Sequence, residues 1–189
     1  MAKKIGAIAS LSVIGVLIIL TIILACVKFD YGIKCNAPDQ IFVVQSSAGG
    51  RRLIEDNEEI ESIKKYISNA SNEKYITALF NGRLNQKAEI VNDTKTLDKP
   101  SAYYIIYSYN QPQTLKYGKK DYKDSNGNTF KYSELVFDVA KTEGETTVKV
   151  YIKPYYNDDG SEYNDTKYTK YYELQADLSG LYNYLADRY

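Results

Sequence analysis

The sequence predicts an α+β fold: one N-terminal membrane-spanning helix, then a domain whose mainly antiparallel sheet of about five to seven strands carries about three helices. Three observations predict it. Ile5 to Val27 is an apolar run without a single charge. Strand-like runs succeed one another between residues 87 and 174 with no helical pattern among them. Helical stripes are confined to 56–81 and 177–188, on either side of that series. Strands in one series with helices set apart argue against βαβ units.

The apolar run comes first. At 1.5 Å of rise per residue a helix over 5–27 reaches roughly 35 Å, enough to cross a hydrocarbon core of ~30 Å with some tilt. Met1-Ala2-Lys3-Lys4 makes a short basic start, so 1–4 reads as a cytoplasmic tail and 5–27 as an uncleaved signal anchor. A second reading stays open, because Ile23-Leu24-Ala25-Cys26 resembles a lipobox. That resemblance implies a lipoprotein signal ending at Cys26, with Cys26 lipidated. Both readings tether a single-pass chain to the cell membrane and place residues 41–189 outside the cytoplasm. Residues 28–40, with Asn36, Pro38 and Asp39, read as a juxtamembrane linker.

Ile41-Phe42-Val43-Val44 is a β-prone run, Ser46 to Gly50 turns the chain, and Arg51 to Ile54 returns it as a hairpin. Asp56 then caps a helix, with Glu59 placed to complete a capping box. Ile60, Ile63, Ile67 and Ala70 form its apolar stripe. A second helix is expected over Asn72 to Asn81, stopped by Gly82. Strands are expected over Lys87 to Val91 and over Ala102 to Tyr109. The latter alternates Tyr103, Ile105, Tyr107 and Tyr109 with Tyr104 and Ile106, apolar on both faces, and so belongs in the middle of a sheet. Phe130 to Ala140 and Thr146 to Lys153 make an antiparallel pair, and Lys167 to Leu174 a last strand. Leu178, Leu181, Tyr182 and Leu185 mark a closing helix over 177–188. The opening IFVVQSSAGGRRLIEDNEEIESI resembles small envelope domains of low-GC Gram-positive bacteria, and plentiful Tyr, Ile, Lys and Asn fit an AT-rich bacterial genome. That likeness implies no functional residue.

Composition narrows the chemistry. Lys+Arg and Asp+Glu both number 24, so no basic face for nucleic acid is expected. The chain has no histidine, which removes Ser-His and Cys-His nucleophiles and the commonest proton shuttle together. Ser46-Ser47-Ala48-Gly49-Gly50 lacks the spacing of a phosphate-binding loop. Asp121, Asp124, Asn126 and Asn128 flank Gly127 like calcium ligands, yet the end positions of such a loop fall on Tyr122 and Ser133, so a hairpin turn is expected. No cofactor or metal is expected, and no catalytic set assembles. Tyrosine is the unusual resource: half of its 20 copies lie from Tyr151 onward. Two readings are open for these rings: they fill a sheet–helix interface, as expected for any single one, or, with Tyr155, Tyr156 and Tyr163 as the candidates, they bind a partner, an envelope protein or glycan. The expectation is therefore a binding or interaction module of a bacterial cell envelope. The alternatives are an accessory or structural subunit of a membrane complex and a carboxylate-based envelope hydrolase.

Overall fold

The computed structural model describes residues 2–30, 35–70, 72–74, 89–92, 101–117, 120–123, 127, 129–141, 146–155 and 170–189. Its elements, in chain order, are α1 (Ala2–Cys26), β1 (Lys28–Asp30), β2 (Gln40–Gln45), β3 (Arg52–Leu53), α2 (Asn57–Ala70), β4 (Asn72–Lys74), β5 (Glu89–Asn92), β6 (Tyr103–Thr114), β7 (Lys116–Tyr117), β8 (Lys120–Asp121), β9 (Lys131–Val139), β10 (Thr146–Pro154), β11 (Lys170–Ala176) and α3 (Ser179–Ala186). The chain divides into two compact units, 1–31 with 72–86 and 32–71 with 87–189. The fold is α+β, and each pairing among the described strands is antiparallel.

The smaller unit holds α1 and the β1–β4 ladder. Along 12–26, where the side chains of α1 are described, nine large apolar residues are exposed, from Val13 at 58% to Ile23 at 51%, while Leu24 is half-buried. Among the described residues no helix is long and apolar enough to cross a membrane. Two expectations change here. Lys28–Asp30 is not linker but a strand, and Asn72–Lys74 is not the start of a helix but its partner. A three-residue strand shows too little of its period to be read locally, and non-local pairing overrides weak helix propensity. The rest of the expected 72–81 helix lies outside the described residues.

The larger unit is built on a seven-stranded sheet in the order β3-β2-β6-β9-β10-β11-β5. β6, third in that order and paired on both sides, is the strand whose sequence is apolar on both faces, and it lies inside the sheet as expected. Gly49 and Gly50 adopt φ of 67° and 81°, left-handed conformations that only glycine takes without strain, and they turn β2 into β3. Asp56 caps α2 by accepting the Glu59 N–H at 2.8 Å. The capping box stays half made, because the Glu59 carboxylate accepts the Tyr189 hydroxyl instead, at 2.8 Å. α2 and α3 cover one face of the sheet. Ile63, Leu181 and Leu185 pack there with Tyr103, Ile105, Tyr107, Leu135, Phe137, Val139 and Val150. Each such side chain contributes roughly 1.5–3 kcal/mol on full burial. Gly180 lets the helices close up: a Cβ there would stand 3.1 Å from the Tyr66 ring.

Candidate functional site

Polar chemistry gathers on the sheet face opposite α2 and α3. Alternation sends Tyr104, Ile106 and Val136 to that side, where Phe42, Val44 and Tyr151 pack around them. The register sets one apolar rung straight across the sheet, Leu53, Phe42, Ile106, Val136 and Tyr151. A charged group flanks this rung on each side, two residues away along β9. One centres on Asp138 and the other on Glu134.

Asp138 is partly buried and one of its oxygens, Oδ1, has no hydrogen-bond partner among the described residues. Burial pushes its pKa up, and a hydrogen bond from the Ser101 side chain and the nearby Lys149 pull it partly back. Ser101 is fixed in turn: its carbonyl accepts from the Ser46 hydroxyl, and its N–H donates to the Tyr104 hydroxyl at 3.0 Å. Tyr104 has a raised pKa, from burial first and from the Asp138 charge last. The arrangement is a hydroxyl held against a carboxylate of raised proton affinity, in which Asp138 can accept or hold a proton.

On the other side Glu134 is buried at 6% exposure. Arg51, just after the glycine turn, grips it with two bonds, of 2.8 and 3.2 Å. Lys153 stands 3.9 Å away on the neighbouring strand. Two cations thus hold one buried carboxylate, the pairing that lets a charge leave water. Spacing then decides what the two carboxylates can do jointly. Four residue steps along the strand lead from Glu134 to Asp138, about 13 Å at 3.3 Å per residue. A glycosidase pair stands roughly 5–10 Å apart. These two groups therefore act separately.

No family model matches the chain, and no curated protein or solved structure matches it either.

The residues singled out in the sequence land as follows. Cys26 is the last residue of α1, exposed, with a free thiol. Tyr155 is half-buried, its N–H donating to the Lys131 carbonyl at 2.8 Å. Tyr156 and Tyr163 lie outside the described residues, so the three rings are not seen together. Of the residues around Gly127, Asp121 belongs to β8, while Asp124, Asn126 and Asn128 lie outside the described set. Gly127 has φ 83° and the Lys123–Thr129 bridge closes its turn. Among the described residues no group of three metal-binding side chains forms.

The sequence reading missed both charged groups. Arg51 and Glu134 are 83 residues apart, and no local pattern joins them. It also missed a cluster at the near end of the helix-covered face. There Cys35, which is in no disulfide, lies in hydrogen-bond contact with the Tyr109 hydroxyl, which donates to the Asn36 carbonyl at 3.0 Å. Burial raises the pKa of Tyr107, Tyr109 and Tyr132, and Cys35 adds to each shift. Ser133, beside them in sequence, is the extra residue of a bulge, since Glu134 pairs with Lys153 and Tyr132 with Pro154. Its buried hydroxyl has no hydrogen-bond partner among the described residues.

Proposed function

We propose that the chain is a membrane-tethered module of a bacterial cell envelope, with α1 as the tether and the larger unit as an extracytoplasmic binding domain. The observation that carries this reading is the surface of α1. Val13, Ile14, Val16, Leu17, Ile18, Ile19, Leu20, Ile22 and Ile23 are each 50–64% exposed and lie on every side of the helix. A helix of a water-soluble domain shows one apolar stripe; one apolar all round belongs inside lipid or a larger core. Thr21 needs no water, for its hydroxyl donates to the Leu17 carbonyl at 2.8 Å. The sequence extends the uncharged run to 23 residues, Ile5 to Val27, behind Lys3 and Lys4. The binding role rests on the larger unit: a sheet whose apolar rung is flanked by two held carboxylates, Glu134 and Asp138, too far apart to work as a hydrolase pair.

The test is membrane extraction followed by intact mass. The expected result is recovery in the alkali-washed membrane fraction, with protease reaching residues 41–189 only from the outside. A mass that includes Met1 identifies the anchor, and a chain beginning at a lipidated Cys26 identifies the lipoprotein. Recovery in the aqueous fraction would overturn the tether.

A further inference from the structure

We infer that the β1–β4 ladder is a headgroup-level element that senses anionic phospholipid through Lys28 and Lys74. The inference rests on the proposed tether. Helical hydrogen bonding runs one residue past α1, with Val27 N–H donating to the Ile23 carbonyl at 3.0 Å, and β1 begins at the next residue. β4 runs antiparallel to β1 and returns the chain to the end of α1, which it touches. The register then orders the charges by distance from that end. Lys28 is opposite Lys74 on the first rung, Phe29 opposite Glu73 on the second, and Asp30 opposite Asn72 on the third. At 3.3 Å per residue the third rung lies about 7 Å beyond the first.

Like charges directly opposite one another destabilise a ladder in water. A two-stranded ladder of this length has little stability to spare. With α1 across a bilayer, however, the lysine rung falls at the lipid phosphates and the acidic residues fall farther out. Anionic headgroups offset the repulsion of the first rung without drawing against the acids of the outer two. In zwitterionic lipid that compensation is weaker. The ladder therefore tightens as the anionic lipid fraction rises.

The test uses the full chain reconstituted into vesicles of phosphatidylcholine alone or with about 30% phosphatidylglycerol, a typical anionic content for such assays. Amide hydrogen exchange is read at 28–30 and 72–74. Exchange is expected to be about fivefold slower in the anionic vesicles, and the difference should vanish at high salt. The double variant Lys28→Gln/Lys74→Gln abolishes the difference: in phosphatidylcholine it exchanges no faster than the natural chain, and phosphatidylglycerol brings it no further protection. Lys28→Arg/Lys74→Arg, which keeps the charge, retains the lipid response. Equal exchange of the natural chain in both lipids, while it floats with the vesicles, would overturn the inference and leave the tether standing. A chain that floats with neither would overturn both.

Discussion

Ile105 and Ile106 are neighbours in one strand, are equally sheltered from water, and belong to different worlds. Ile105 faces α2 and α3 among a continuous set of apolar side chains. Ile106 faces the other way, in a cluster of three buried residues edged by partly buried ones. Beside it stand Ser101, Tyr104 and Asp138 in one direction and Arg51, Glu134 and Lys153 in the other. The first face is an ordinary core, whose stability follows from apolar area and close packing. The second spends some of that stability on buried charge. Charges held within packed surroundings specify one geometry, as a set of aliphatic side chains alone does not.

The largest test of this difference is truncation on each face. Leu135→Ala and Phe137→Ala, on the helix-covered side, are expected to cost about 3–5 kcal/mol in urea denaturation. Val136→Ala, between them in sequence but on the other face, removes less volume and is expected to cost about 2 kcal/mol. Equal losses at 135 and 136 would mean that the two faces are one kind of core.

Next in size is the carboxylate between two cations. Glu134→Ala leaves Arg51 and Lys153 facing each other across the vacated position. A fully buried pair broken in this way loses roughly 3–5 kcal/mol, but Arg51 is 44% exposed and can turn to water, so a loss of about 1–2 kcal/mol is expected. A double-mutant cycle with Arg51→Ala should return a coupling of roughly 1 kcal/mol. A cycle that sums to zero would reduce the pair to a surface contact.

Asp138 gives a pH-dependent contrast. Its folded pKa is raised above the ordinary 3.8, so the folded state holds the proton more firmly than the unfolded chain does. Stability is then lost as pH rises from the ordinary carboxylate value through the raised one. Asp138→Asn keeps an acceptor for Ser101 and removes the charge. The variant should match the natural chain at the acid end of this window and be the more stable of the two at neutral pH. A variant less stable at neutral pH would show that Lys149 outweighs burial.

Much of the first face was legible in the sequence and little of the second. Period-two alternation in AYYIIYSY and in the 130–140 and 146–153 runs placed the central strands, and Asp56 placed the start of α2 to the residue. Those signals are local. The limits of β6 were not legible: it runs on to Thr114 through Pro112, with a shift of register between Ser108 and Gln113 that no alternation announces. The pairing of Lys28–Asp30 with Asn72–Lys74 and of Arg51 with Glu134 depends on how distant segments meet. Glu59 illustrates the limit well. Its position three residues after Asp56 is the signature of a capping box, and the prediction failed because Tyr189 takes its carboxylate.

That exchange of partners yields the smallest and most specific prediction, at the rim of the helix-covered face. Tyr189 donates to Glu59 at 2.8 Å, and the Arg52 guanidinium lies over its ring, 4.8 Å from the centroid. Burial first, and then the bond to Glu59, push its pKa up to about 12. The folded state therefore holds the phenolic proton after the unfolded chain has released it. The stability contributed by the hydroxyl is fully present below the ordinary value of 10.0 and is lost as pH rises through about 12. Tyr189→Phe keeps the ring under Arg52 and removes the donor. It is expected to cost about 0.5–1.5 kcal/mol at neutral pH, near the low end because the site is only partly buried. The other raised tyrosines are common to both proteins, so their titration cancels in the difference. The gap between natural chain and variant should close over the alkaline window. A gap that persists there would assign the effect to ring packing, and Glu59 would then be free to complete its cap.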